Sequence, residues 1–132
     1  MMKAPLATVL VLLVCAFSGC AFDLVSVKQM PVTLTTDLGG DQSIMLAEAA
    51  TVSIGTSFPV HLKANTVWQK IGRTEFGDAY TSKDQVLTVE ASNIHEAALV
   101  VKEDSVTGFY LLLEKKFCPA SSPVKINLNK KI

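Results

Sequence analysis

Ala97-Ala98-Leu99-Val100-Val101-Lys102-Glu103-Asp104-Ser105-Val106-Thr107-Gly108-Phe109-Tyr110-Leu111-Leu112-Leu113 is the stretch that decides the fold. Two apolar runs, rich in β-branched and aromatic residues, flank the charged Glu103-Asp104 pair, which reads as a hairpin closing two strands. The first strand spans 93–102. The second is apolar on both faces, the pattern of a strand covered on both sides, so 109–113 is placed in the interior of a sheet.

Working outward, Val86-Leu87-Thr88-Val89-Glu90 alternates as a strand after the turn chemistry of Ser82-Lys83-Asp84. Toward the N-terminus, 51–54, a turn at Gly55-Thr56, and Phe58, Val60 and Leu62 alternating with Pro59, His61 and Lys63 form a half-buried hairpin pattern. Short extended pieces are expected over 67–73 and up to 79–81, punctuated by Gly72 and Gly77. Residues 32–36 read as a strand, 37–41 as a loop, and 44–50 as ambiguous, with a helix-favouring composition but too few residues for a stable helix. Val124, Ile126 and Leu128 alternate as a final strand after Pro119 to Pro123. The expected class is mainly β, a small antiparallel barrel or sandwich of about eight short strands.

The 132 residues allow one compact domain. Acidic and basic side chains balance at twelve each; without a leader that contains only Lys3 the charge is about −1. No basic stripe supplies the phosphate attraction that nucleic-acid binding needs, so that class of partner is excluded. Before the β pattern begins, Met1-Met2-Lys3 and the apolar block from Leu6 to Phe17 have the order of an export signal helix. The block is shorter than the ~20 residues a spanning helix requires.

Phe17-Ser18-Gly19-Cys20 resembles the lipobox of bacterial lipoproteins. Phe17 stands where that motif usually has Leu; the other three positions fit. The resemblance covers only the start of the chain and implies a leader over 1–19 cut between Gly19 and Cys20, with Cys20 diacylated on sulfur and acylated on its new amine. Three acyl chains hold a protein to a bilayer effectively permanently, because each buried methylene adds about 0.8 kcal/mol. Ala21, in place of the Asp that favours inner-membrane retention in enterobacterial lipoproteins, implies by resemblance sorting to the outer membrane, where the periplasmic face is expected ahead of the cell surface. The expected organisation is thus a signal peptide over 1–19, a lipidated tether over 20–30 and one β-rich domain over 31–132. The competing reading is an ordinary secretory leader cut near Ser18 or Cys20, which would leave a soluble protein. Cys118 remains as an odd thiol in an oxidising compartment, read as a buried small hydrophobe rather than an intermolecular disulfide.

Motifs for catalysis are missing: no Gly-x-Ser-x-Gly elbow, no His-Glu-x-x-His, no glycine-rich phosphate loop, no Cys-x-x-Cys. No catalytic, cofactor-binding or metal residue is assigned. His95 and Glu96 point to opposite faces if they lie on a strand, so an acid–base or metal site would need His61 and Glu90 brought to His95 by the fold. Trp68, Phe76 and Tyr80 lie within thirteen residues and are either core or an aromatic binding surface, with His95 as a further candidate contact. Asp78 and Asp84 sit in turn contexts where their carboxylates satisfy backbone amides.

The chain is therefore expected to be a non-enzymatic, lipid-anchored envelope protein whose β-domain binds a protein or glycan or braces an assembly. The alternative is an inhibitor of a lysozyme or protease, acting through an exposed loop at 37–41 or 82–85; an enzyme built on His61, Glu90 and His95 ranks last. The anchor is tested directly by radiolabelled palmitate. Label should enter the wild-type chain and vanish in Cys20→Ala, and equal labelling of the two would overturn the lipobox reading.

Overall fold

The computed structural model describes residues 27–36 and 42–131. The leader with its signal helix, Gly19, Cys20, the tether up to residue 26 and the loop at 37–41 lie outside the described residues. Among those described there is no helix, and so none long and apolar enough to cross a membrane. The strands are β1 (Met30–Pro31), β2 (Ser43–Leu46), β3 (Ala50–Val52), β4 (Val60–Leu62), β5 (Thr66–Thr74), β6 (Gly77–Ser82), β7 (Leu87–Glu90), β8 (Ile94–Lys102), β9 (Ser105–Leu111), β10 (Lys116–Lys125) and β11 (Leu128–Lys131).

Nine of them form one antiparallel sheet in the order β1-β10-β9-β8-β6-β5-β2-β11, with β7 paired to β8 as a branch; β3 and β4 form a separate hairpin. The mainly β class expected from the pattern is the class observed, with eleven strands among the described residues rather than about eight. Of the two expected forms the barrel does not arise, because the sheet does not close. β8 is the fork. β9 takes one of its edges, while β7 pairs with 94–97 and β6 with 99–101 along the other.

The hairpin turn falls where the sequence put it, with Glu103 (φ 50) and Asp104 (φ 64) both left-handed, as a two-residue turn that follows the strand twist requires. β9 lies between β8 and β10, and both its faces are covered. One face of the β8–β9 pair carries Ala97, Leu99, Val101, Val106, Phe109 and Leu111, and these pack with Trp68 and with Val52, Ile54, Val60 and Leu62 of the β3–β4 hairpin. Burying each large side chain of this set contributes about 1.5–3 kcal/mol.

The opposite face carries Ala98, Val100 and Tyr110, with Ala79 and Phe117 beside them. Its cover is the N-terminal segment. Met30, Val32 and Leu34 pack there, Met30 pairs with Phe117, and Thr35 and Arg73 exchange two backbone hydrogen bonds of 2.8 Å. Among the described residues Val27, inside the span read as tether, packs against the main core on the first face. Of the stretch expected as a strand over 32–36 only the single Thr35 bridge has strand character; the ladder is confined to Met30–Pro31 before it. The segment is a strap laid over side chains, and it cannot form a full ladder with a sheet whose face it covers.

Two other expectations change. Residues 43–46 are β2, held between β5 and β11, so ladders on both edges override a helix-favouring composition. The expected final strand breaks at Ile126 and Asn127 into the end of β10 and the separate β11. Within β10 the register to β9 slips between Pro119 and Val124, where the two prolines of 119–123 cannot donate to a ladder. The displaced Ser121 N–H instead bonds the Ser53 carbonyl at 2.8 Å, tying the hairpin to the sheet.

Gly72 reports on the strap. A Cβ there would stand 2.7 Å from the Thr35 carbonyl oxygen and 2.8 Å from Leu34 Cδ1, too close for either to stay. Gly72→Ala should lower unfolding stability by about 1–3 kcal/mol in urea titration, the usual cost of overpacking. An unchanged midpoint would mean that the strap is not seated on the sheet.

Candidate functional site

The β3–β4 hairpin is set by its turn. Gly55 adopts φ 48, its N–H bonds Ser121 Oγ at 2.8 Å, and the Ser57 N–H and Oγ both donate to the Ile54 carbonyl at 2.9 Å. Alternation then buries Val60 and Leu62, facing Val52 and Ala50. The same alternation would bury Phe58, yet the chain is not in strand there and Phe58 is 67% exposed. Across from it, Leu87 and Val89 of β7 point into the core while Val86 is 71% exposed.

Phe58 and Val86 line one groove of about 470 Å³ between β4 and β7, together with Pro59, His61, Gln85, Thr88 and Glu90. The two strands run beside one another without a ladder. What joins them is a side chain. Gln85 Nε2 donates to the His61 carbonyl at 2.5 Å and the Lys63 N–H donates to Gln85 Oε1 at 3.0 Å. On the hairpin itself, Thr51 Oγ1 and His61 Nδ1 lie 3.0 Å apart as a cross-strand pair.

The fold separates the residues that an acid–base or metal site would have needed together. His61 and Glu90 share the groove, while His95 is opposite Val89 in the β7–β8 ladder, on the core side of that pair. Its partner is Glu114, from the turn between β9 and β10, with His95 Nδ1 and Glu114 Oε2 2.5 Å apart. Both are largely sheltered, at 14% and 27% side-chain exposure. The hydrogen bond from the His95 ring holds the Glu114 carboxyl below its ordinary range, against a smaller upward push from burial. Sequence reasoning missed Glu114, nineteen residues from His95, because only the β8–β9 pairing brings that turn back. No cluster of three metal-ligating side chains occurs among the described residues.

Trp68, Phe76 and Tyr80 do not form a shared surface. Trp68 and Tyr80 are buried in the main core, where Trp68 Nε1 donates to Thr66 Oγ1 at 2.8 Å. Burial, and next the Asp78 charge, raise the Tyr80 pKa. Phe76 is on the other face, stacked on Phe117 with ring centroids 4.1 Å apart. Asp78 lies in β6 and pairs with Lys70 at 3.5 Å, not in a turn. Asp84 does satisfy a backbone amide, that of Val67 at 2.8 Å, and Ser82 Oγ donates to the Val67 carbonyl at 2.6 Å. The 82–85 loop thus spends Ser82, Asp84 and Gln85 on neighbouring strands. Cys118 is fully buried, and burial pushes its thiol up to about 11.

Comparison of the chain with protein-family models, curated proteins and solved structures finds no match. The site therefore stands on its own geometry: exposed apolar side chains beside an unladdered seam.

The His95–Glu114 pair makes stability depend on pH. Because the folded carboxyl has the lower pKa, its contribution is present above the unfolded Glu value of about 4.3 and is lost as pH falls through the folded value. Glu114→Gln should cost on the order of half a kcal/mol near neutral pH, given partial exposure, and the gap to wild type should close below about pH 4. Thermal unfolding at both pH values checks this, and a gap that widens on acidification would contradict it.

Proposed function

We propose that this chain is a lipid-anchored envelope protein, held to the periplasmic face of the outer membrane through Cys20, whose β-domain is a binding or assembly module docking a partner protein in the β4–β7 groove. The observation that carries the docking reading is the exposure of Phe58 and Val86 within one groove. A large apolar side chain left in water singly is ordinary, but two that flank the same concave seam are the arrangement of an interaction site. The lipobox-like start supports the location, and Ala21 the membrane.

The other exposed large apolar side chains lie outside the groove lining. Ile94 is opposite Glu90 in the β7–β8 ladder, and Leu113 is in the turn tied to β8 by the Leu112 N–H on the Glu96 carbonyl at 3.0 Å. An apolar centre rimmed by Glu90, Glu96, His61 and Lys63 suits a protein partner, whose binding energy concentrates in a few desolvated side chains.

A photoreactive amino acid placed at position 58 or 86 of the full-length chain in intact cells should give a discrete crosslinked species, and one at Lys102, on the β8–β9 turn, should not. Adding Ser at the other groove position (Val86→Ser or Phe58→Ser) should cut that yield by at least about fivefold, the scale of losing one apolar anchor. Equal crosslinking from position 102 would sink the groove as the docking site.

A further inference from the structure

We propose that the β4–β7 groove receives a short extended segment of its partner as an added β-strand, with a basic side chain of that segment set against Glu90. The proposal rests on the reading of this groove as the docking site and specifies what enters it.

The hydrogen-bonding pattern of β7 supplies the first argument. The Glu96 carbonyl accepts from the Leu112 N–H, so the Glu96 main-chain groups face β9, and those of Ala97 and His95 face β7. Antiparallel pairing then alternates: Leu87 and Val89 bond β8, and the N–H and C=O of Thr88 and Glu90 point away from it. The side they point to is the groove they line. Neither residue has a backbone partner outside the ladder among the described residues. On the facing edge, His61 directs its main-chain groups away from β3, since its carbonyl meets Gln85.

Gln85 shows what chemistry the seam accepts. Its side-chain amide gives one donor and one acceptor to His61 and Lys63, the pair of bonds that a peptide group of a neighbouring strand would make. One primary amide therefore stands in for a strand at that end of the seam. Beyond it, toward Glu90 and Phe58, strand-edge groups remain without a ladder, which is the template that β-strand addition uses. β4 and β7 touch over part of the seam, so the added segment takes only the stretch they leave open and is shorter than the four residues of β7, under about 13 Å at 3.3 Å per residue.

Charge narrows the segment further. Thr88 and Glu96 are directly opposite on the outer face of the β7–β8 pair, and Glu90 lies beside them. Glu90 and Glu96 have no ion-pair partner among the described residues. Their potential favours Lys or Arg on the incoming strand and disfavours an anionic bilayer surface. A glycan would call for an aromatic stacking platform with several polar partners; Trp68 and Tyr80 are buried elsewhere, and Phe58 is the single aromatic side chain lining the groove among the described residues.

The test uses the full-length chain in detergent and a fluorescent heptapeptide of alternating Val and Lys, read by anisotropy against detergent alone. The peptide should bind. Methylating its alternate backbone nitrogens, replacing its Lys by Glu, or introducing Thr88→Pro should each weaken binding about tenfold, the scale of lost main-chain bonds or charge pairing. Thr88→Pro removes a groove-facing N–H that the β8 ladder does not use, as edge positions tolerate. Glu90→Gln should weaken binding and flatten its salt dependence. Equal affinity for methylated and unmethylated peptides overturns strand addition, and that arm decides even where Thr88→Pro perturbs the fold. No peptide binding while crosslinks from positions 58 and 86 persist also overturns it but leaves the docking site intact; loss of those crosslinks as well removes both readings. Recruitment of Cys20→Ala to anionic vesicles through Phe58, without peptide binding, overturns it in favour of a bilayer contact.

Discussion

Residues 97–101 and 106–111 carry apolar side chains on both faces, so a sheet with this pair at its centre cannot leave either face in water. Every other element answers that constraint. The β3–β4 hairpin and Trp68 cover one face, and the strap with Phe76 and Phe117 covers the other. Among the described residues there is no helix to lay across the sheet, so extended segments do both jobs. Extended segments bring unpaired edges with them, and the seam between β4 and β7 is where two such edges meet without pairing.

That seam also explains why the molecule stops short of a barrel. β8 offers β6 and β7 adjacent halves of one edge, and the fork turns β7 away from the main order of the sheet. The hairpin fills the gap and is held by Ser53 to Ser121 on one side and by the Gln85 amide on the other. Two hydrogen bonds replace a ladder at each join. Edge protection is correspondingly local: Pro59 lacks a donor and Glu90 adds a charge, which discourage self-pairing without covering the groove.

Much of this was legible because two patterns match burial: period-two alternation in Val60–Leu62 and Leu87–Glu90, and unbroken apolar runs over 97–101 and 108–111. They failed where non-local ladders decide. Ser43 to Leu46 reads as weak helix until two partner strands are known. Phe58 fits the buried phase of its strand, but Pro59 follows it and the turn ends there, so the phase does not reach it. The candidate site was legible only in pieces. His61 and Glu90 could be named as chemistry-bearing residues, but the groove they share depends on a branch in the sheet, and Glu114 depends on a turn folding back. Trp68 and Tyr80 looked equally fit for surface or core, since aromatic spacing alone carries no information about which face they take.

The burial of Trp68 has an optical consequence. It is the only tryptophan of the chain, and its indole is 1% exposed with its N–H bonded to Thr66. Its emission reports the state of the face covered by the hairpin. Lifting Met30, Val32 and Leu34 would uncover the stacked Phe76 and Phe117, which belong to a cluster separate from the tryptophan's. The two halves of the interior thus differ optically, because the indole belongs to one of them alone.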